Sequence, residues 1–313
     1  MTQLSRRWRW RCLGAAAMVA LACAFPAIAA AADRPTTFRF NPPNGTTYVE
    51  TMETTRKTDL GQLGHRLDQS KVVSRTTLTK ARPGYRGREV ALAWTLTRNG
   101  QRAPDPIASL MKDLTLTYDV SDNGQLLAVR GVNQFLKRVR QLGAATAQAL
   151  AGVPSEEVLI RKIKAEWDGR VARFVGRKAK FGDLWIAADP YELPTGGTLT
   201  YFSAITLAGR AKRDGHECVK IEFKYNTDAA ALGKLLGKTM AEVTAAAGIS
   251  GTPANVAGAT LAGSGWMLAD PDTMLTYGQE FERRMTLPMD IPGRGRVMAK
   301  VVETKRYTYK YRK

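Results

Sequence analysis

The chain has 313 residues and carries 47 Lys and Arg against 28 Asp and Glu, a formal net charge of +19. That length suits one large domain or two small ones, and an apolar share of 44% predicts a folded globular protein rather than a disordered chain. Three cysteines and two histidines leave no material for a disulfide framework or for a His/Cys metal cluster, so no metal or cofactor is expected.

Residues 1–32 read as a signal peptide. Arg6, Arg7, Arg9 and Arg11 form a basic n-region, Leu13 to Phe25 an apolar h-region too short to span a bilayer, and Ala27-Ile28-Ala29 or Ala30-Ala31-Ala32 a small-residue cleavage site. The expected location is the periplasm or the exterior of a bacterial cell. Ser5-Arg6-Arg7 resembles the start of a twin-arginine motif, from which Arg9 and Trp10 depart. Ala20-Leu21-Ala22-Cys23 approaches a lipoprotein cleavage box, with Ala20 standing where an aliphatic residue is expected. Removing the four arginines takes the +19 down to about +15, so the mature chain is still strongly basic. Cys218 is then the sole remaining cysteine, with His216 two residues before it.

Residues 33–313 read as a single α+β domain. After a Pro- and Asn-containing lead-in, Tyr48 to Thr58 is a Thr-rich segment expected at a sheet edge, and Gly61 to His65 is a loop. A first β-unit covers about 66–131. Gln69 to Lys80 forms a strand, Arg82-Pro83-Gly84 turns it, and Val90, Leu92, Trp94 and Leu96 alternate with small or polar residues as one half-buried face. A short helical piece is expected at Ile107 to Asp113. Asp122-Asn123-Gly124 marks a hairpin, because Asn-Gly tolerates the positive φ of a tight turn.

A helical connection follows over 132–176. Asn133 is the expected N-cap of its first helix, whose face carries Phe135, Val139 and Leu142. Ser155 caps a second helix, with Glu156 and Glu157 where the dipole favours acids, and Leu159, Ile163 and Trp167 share one face of it. Gly169 weakens that helix internally and Gly176 closes it. Two readings stand: amphipathic helices packed tightly on a sheet, or a helical lid over an apolar cavity lined by Phe135, Val139, Leu142, Leu159, Ile163 and Trp167.

A connector with Trp185, Pro190 and Pro194 leads to a second β-unit at about 198–287. Its cleanest strand alternates Val219, Ile221, Phe223 and Tyr225 with Lys220, Glu222 and Lys224, after an Asp214-Gly215 turn. A helix is expected after Asp228 to about Ala247, and Ala245 to Gly265 reads as an Ala/Gly-rich flap or loop. The spacing of Thr77, Leu78, Val90, Leu92, Trp94 and Leu96 matches that of Thr206, Leu207, Val219, Ile221, Phe223 and Tyr225, which suggests an internal duplication; any antiparallel sheet also yields such alternation. The last strand, 296–311, sets Val297, Ala299, Val301, Tyr307, Tyr309 and Tyr311 against a Lys/Arg-bearing face. Export argues against nucleic acid as the partner of those bases.

Catalytic motifs fail on spacing. Gly233-Lys234-Leu235-Leu236-Gly237-Lys238-Thr239 has one residue too few for a phosphate loop, and Ala262 breaks the nucleophile-elbow pattern around Ser264. No catalytic residue is assigned, and a non-enzymatic protein is expected.

A signal peptide, long amphipathic antiparallel strands, Gly-containing hairpins and an amphipathic helical insert together resemble the periplasmic lipoprotein-carrier superfamily, over residues 46 to 311. The resemblance implies a large curved antiparallel sheet, half-barrel-like, with helices on one face plugging an apolar mouth. It matches no motif residue for residue and so carries over no binding residue. The implied function is the binding of an apolar or lipid-like ligand, or a lipoprotein, in the envelope. The alternative is a basic envelope protein that binds anionic lipid or cell-wall polymer through its charge.

Overall fold

The computed structural model describes residues 34–103, 110–141, 155–192, 198–246, 256, 258–291 and 295–312. The signal peptide expected at residues 1–32 and Leu142 lie outside the described residues.

The chain is a large antiparallel sheet with helices on one face. In order, the elements are β1 (Thr36–Thr37), β2 (Thr46–Asp59), β3 (His65–Ala81), β4 (Gly84–Arg98), β5 (Gln101–Arg102), β6 (Thr115–Ser121) and β7 (Leu126–Arg130). Helices α1 (Val132–Arg140) and α2 (Glu156–Trp167) and a π-helical turn (Asp168–Ala172) lead to β8 (Lys178–Ala179) and β9 (Leu184–Glu192). Then come β10 (Thr198–Arg213), β11 (His216–Thr227), α3 (Ala229–Ala246), β12 (Thr260–Ala269), β13 (Thr276–Ile291) and β14 (Gly295–Tyr311). The sheet order is β7-β6-β4-β3-β2-β14-β13-β12-β11-β10-β9, with β5 attached to β4 and a separate β1–β8 pair.

This order places the first and last long strands side by side in the middle. β2 pairs with β14 over Tyr48–Asp59, so each half of the chain forms one arm of a single sheet. The two open edges, β7 and β9, are successive strands of this sheet along the chain, joined by the helical connection and the short β8. α2 contacts both edge strands, so it fills the gap that an unclosed sheet leaves between them. Its Lys164 Nζ donates to the Leu126 carbonyl on β7 at 3.2 Å.

Local chemistry sets the element ends. Ser155 Oγ accepts from the Val158 amide at 3.4 Å as the N-cap of α2, and Asp228 Oδ1 accepts from the Ala231 amide at 2.7 Å at the start of α3. Asp214 and Gly215, at φ 52° and 84°, make the two-residue turn between β10 and β11. The cap of α1 differs from expectation: it is Gly131, at φ 101°, because a Cβ there would collide with the Thr115 carbonyl. α2 ends at Trp167 and the widened turn takes over around Gly169, the weak point of the helical pattern.

Four expectations are corrected. The Thr-rich β2 is central, not an edge; its mixed composition reflects an inner face that is half-buried rather than an unpaired side. The Trp185 connector is the edge strand β9, where Pro190 is tolerated because an edge strand needs its amides on one side only. Val90 does not share a face with Trp94: a β-bulge at Leu92 reverses the alternation, which leaves Leu92 41% exposed. Thr260 to Gly265, expected in a flap, are part of β12, and Ala245 and Ala246 close α3, while 247–255 lie outside the described residues.

Candidate ligand-binding face

Strand alternation gives the sheet an inner face, toward α2, and an outer face. On β11, Val219, Ile221 and Phe223 are buried, and on β12 Met267 and Ala269 are buried; all point inward, while Glu222 and Lys224 point out. The hydrogen-bonded register extends these inward positions into rows that run across the strands. One row is continuous over eight strands: Leu207, Ile221, Met267, Gln279, Tyr307, Met52, Val72 and Trp94. Such cross-strand neighbours are in side-chain contact range.

The row divides into two halves. Leu207, Ile221 and Met267 are fully buried, because Phe38, Val171 and Phe174 close over that end of the sheet. Phe174 meets Phe38, Trp185 and Phe223 with ring centroids 5.7, 6.2 and 6.4 Å apart. Tyr307, Met52, Val72 and Trp94 are only half-buried. Glycines shape the surface between the arms. A Cβ on Gly265 would sit 2.5 Å from the Glu280 carbonyl oxygen and nearer still to the Phe281 ring, so glycine there lets that ring lie on the sheet.

A polar seam crosses the boundary between the halves. Arg170, from the π-helical turn, places Nη1 3.4 Å from Glu50 Oε2; the two side chains are 31% and 19% exposed. Burial pushes the Glu50 carboxyl above its ordinary value, against the pull of Arg170. Tyr309 faces Glu50 across the β2–β14 pair and is 6% exposed; its hydroxyl lies close enough to favour the carboxylate, yet it meets no partner at full hydrogen-bond geometry among the described residues. Gln279 is 2% exposed, and its Oε1 also has no partner among the described residues. Tyr118 is better served: its hydroxyl donates to Glu89 Oε2 at 2.8 Å. Burial raises the phenols of Tyr48, Tyr307 and Tyr309 above their usual range, so all three stay neutral at physiological pH.

Further along the inner face, charge is paired in place. Arg283 donates to Glu303 at 2.7 Å, and Asp68 lies 2.6 Å from Arg66 and 3.1 Å from Arg98. At that end Leu232 of α3 packs with Leu199, Ala259 and Leu261 as a separate apolar cluster.

The helix residues expected to line a cavity are dispersed in role. Ile163 and Trp167 pack on the main core, and Trp167 donates from Nε1 to the Gly124 carbonyl at 2.7 Å. Phe135, Val139 and Leu159 are half-buried, and α1 touches α2. Sequence reasoning passed over Glu50, Arg170, Gln279 and Tyr309. A signal existed for Gln279: it is a polar residue at the inward position of a strand, two residues before the inward Phe281.

His216 and Cys218 do not form a thiol–imidazole pair. The His216 ring stacks on Tyr277 at 4.6 Å between centroids, and the Cys218 thiol donates to the His216 carbonyl at 3.7 Å. Burial pushes that thiol up to about 11. Among the described residues no group of three or more His, Cys, Asp and Glu is placed to hold a metal ion, and no helix is long and apolar enough to cross a membrane.

No protein-family model and no curated protein matches the chain. Among solved structures, one titled for lipid–protein interactions in lipovitellin is similar at TM-score 0.43 and 9% identity, over 85% of this chain and 25% of that one. The chain thus spans about a quarter of the lipovitellin chain. A LolA superfamily protein from Nitrosomonas europaea is similar at TM-score 0.16 and 10% identity, over 88% of this chain and 89% of that one. OpdQ from Pseudomonas aeruginosa is similar at TM-score 0.23 and 9% identity, over 86% of this chain and 100% of that one.

Proposed function

We propose that this protein is an exported, non-enzymatic protein of the bacterial envelope that holds an apolar or lipid-like ligand on the inner face of its sheet. One observation supports this reading above others. The row of inward side chains is fully covered at one half and left half-buried at the other, where Met52, Val72 and Trp94 line adjacent strands. A sheet face of this kind lowers its free energy by burying apolar surface, at roughly 25 cal/mol per Å². An apolar ligand supplies what the protein's own helices leave uncovered.

The basic-surface reading is less well supported. Bases of the outer face alternate with acids and pair with them: Arg306 with Glu280 at 2.9 Å, Lys220 with Glu222 at 2.6 Å, Lys71 with Glu53 at 3.1 Å. Interleaved pairs of this sort weaken a single-sign field.

The test is native mass spectrometry of the protein purified from a bacterial envelope, followed by organic extraction. A discrete added mass that extracts as lipid is the expected result. A bare protein mass, with binding to anionic vesicles that fades steeply with salt, would replace this reading with the charge-based one. The mass also reports whether the chain is cut after residue 29 or 32.

A further inference from the structure

The hairpin end of the sheet carries a cleft of about 1030 Å³ that opens to solvent and includes no residue of the inner-face row. Four segments meet there: residues 37–41 of the lead-in, residues 80–85 at the β3–β4 turn, Asp122 and Asn123 at the β6–β7 turn, and Val175 and Gly176 after the π-helical turn. Hydrogen bonds fix these segments to their surroundings. The Tyr85 hydroxyl donates to Asn41 Oδ1 at 3.1 Å, the Gly176 amide to the Phe38 carbonyl at 2.9 Å, and the Lys80 amide to Asn44 Oδ1 at 2.8 Å. Gly84 brings the β3–β4 turn against β6, because a Cβ there would collide with the Val120 carbonyl. Phe40 meets Tyr85 edge-on at 5.1 Å between centroids, and both rings are buried. The walls are thus held in place before any ligand arrives, which lowers the cost of binding.

The charges of the lining say what kind of ligand fits. Arg39, Lys80 and Arg82 line the cleft and are exposed. Lys80 and Arg82 stand two residues apart at one turn, and neither forms an ion pair among the described residues. Arg39 reaches Asp272 at 3.3 Å, with the two side chains 67% and 70% exposed, so that pair is screened and leaves further guanidinium N–H donors for a ligand. Asp122 is the one acid of the lining, and it too forms no ion pair among the described residues. Elsewhere bases sit against acids on adjacent strands, as Arg86 and Arg130 do on Asp119 and Arg306 on Glu280. Two neighbouring bases without a counter-charge repel one another, and an anion between them reverses the sign of that interaction. Phosphate fits better than a carboxylate. Near neutral pH it carries close to two charges, with enough acceptor oxygens for two guanidinium groups and an ammonium at once.

We propose that this cleft binds a phosphate group through Arg39, Lys80 and Arg82, with Asp122 opposing the anion and limiting its affinity. That chemistry has two sources, a soluble phosphate or the headgroup of a phospholipid, and the test separates them. The site stands apart from the inner face of the sheet and does not rest on the function proposed above.

The test is calorimetric titration of the purified protein, at low salt and neutral pH, with inorganic phosphate, glycerol 3-phosphate and dihexanoylphosphatidylglycerol, the last kept below its micelle concentration. Inorganic phosphate should bind saturably. Lys80→Gln and Arg82→Gln should each weaken it about fivefold, and Asp122→Asn should tighten it by a similar factor. These three side chains are exposed, so the variants should melt close to the parent. Lys224→Gln, on the outer face away from the cleft, should leave binding unchanged. Lipid that binds no tighter than glycerol 3-phosphate identifies a soluble phosphate as the ligand, and lipid that binds about tenfold tighter or more identifies a headgroup. No saturable binding of any of the three overturns the site. So does binding that Lys80→Gln, Arg82→Gln and Lys224→Gln weaken alike, or that Asp122→Asn weakens, because the anion is then held by net charge or by other residues.

Discussion

The two halves of the inner face are made from the same strands and differ in what covers them. At one end, Phe38 and Phe174 lie over Ile205, Leu207 and Ile221, and all five are fully buried. Toward the other, Met52 and Val72 occupy equivalent inward positions on well-paired strands and remain half-buried. Pairing is equally regular in both, so the contrast lies in tertiary cover. It teaches that backbone hydrogen bonding extends this sheet well beyond the part its own helices can bury.

Four measurements would break or sharpen that contrast. The largest effect is expected at the covered end. Phe174→Ala empties the centre of the aromatic cluster and should cost about 3–5 kcal/mol in chemical denaturation; a loss under about 1 kcal/mol would mean that this end is not the stabilising core. Between the halves, Gly265→Ala forces a Cβ against the Glu280 carbonyl and the Phe281 ring, and should cost about 1–3 kcal/mol by the same measurement.

In the open half, Met52→Ala removes a half-buried side chain and should cost about 1 kcal/mol or less, yet weaken uptake of the neutral apolar fluorophore N-phenyl-1-naphthylamine severalfold. A stability loss as large as that of Phe174→Ala would make the open half ordinary core. The smallest effect is expected away from the inner face altogether. Asp119 receives Arg130 at 2.5 Å and Arg86 at 3.0 Å, and these hold its carboxyl below the usual range. A lowered folded value means that its contribution to stability is present above the ordinary carboxylate range and is lost as pH falls through the lowered value. Both arginine side chains are more than half exposed, so the contribution is screened. Melting temperatures of wild type and Asp119→Asn should differ slightly at neutral pH and converge in acid; a difference that persists in acid would assign Asp119 some role other than the ion pairs.

Individual residues show how far the sequence could be read. Val219, Ile221 and Phe223 alternate with charged neighbours, and the structure buries all three, because burial of one sheet face imposes a period of two whatever the partner strand. Asp214-Gly215, Asp228 and Ser155 act where their local chemistry required, since turns and caps are settled within a few residues. Val90 and Leu92 were misread because a bulge depends on the length of the partner strand, which carries no local mark. β9 was missed because its apolar run is short and carries a proline, and an edge strand is defined by where it lies in the sheet.

What the sequence by itself determined is therefore local: strand and helix periods, turn positions, capping, and the excess of positive charge. Tertiary structure alone decided that the first and last long strands pair at the centre, that α2 bridges the two open edges, and that Arg170 reaches Glu50 from 120 residues away. It also left the Gln279 amide oxygen buried without a partner among the described residues. The physical reason is that period and propensity are properties of neighbouring residues, whereas pairing order and the pairing of buried polar groups are settled by contacts between segments far apart in the chain.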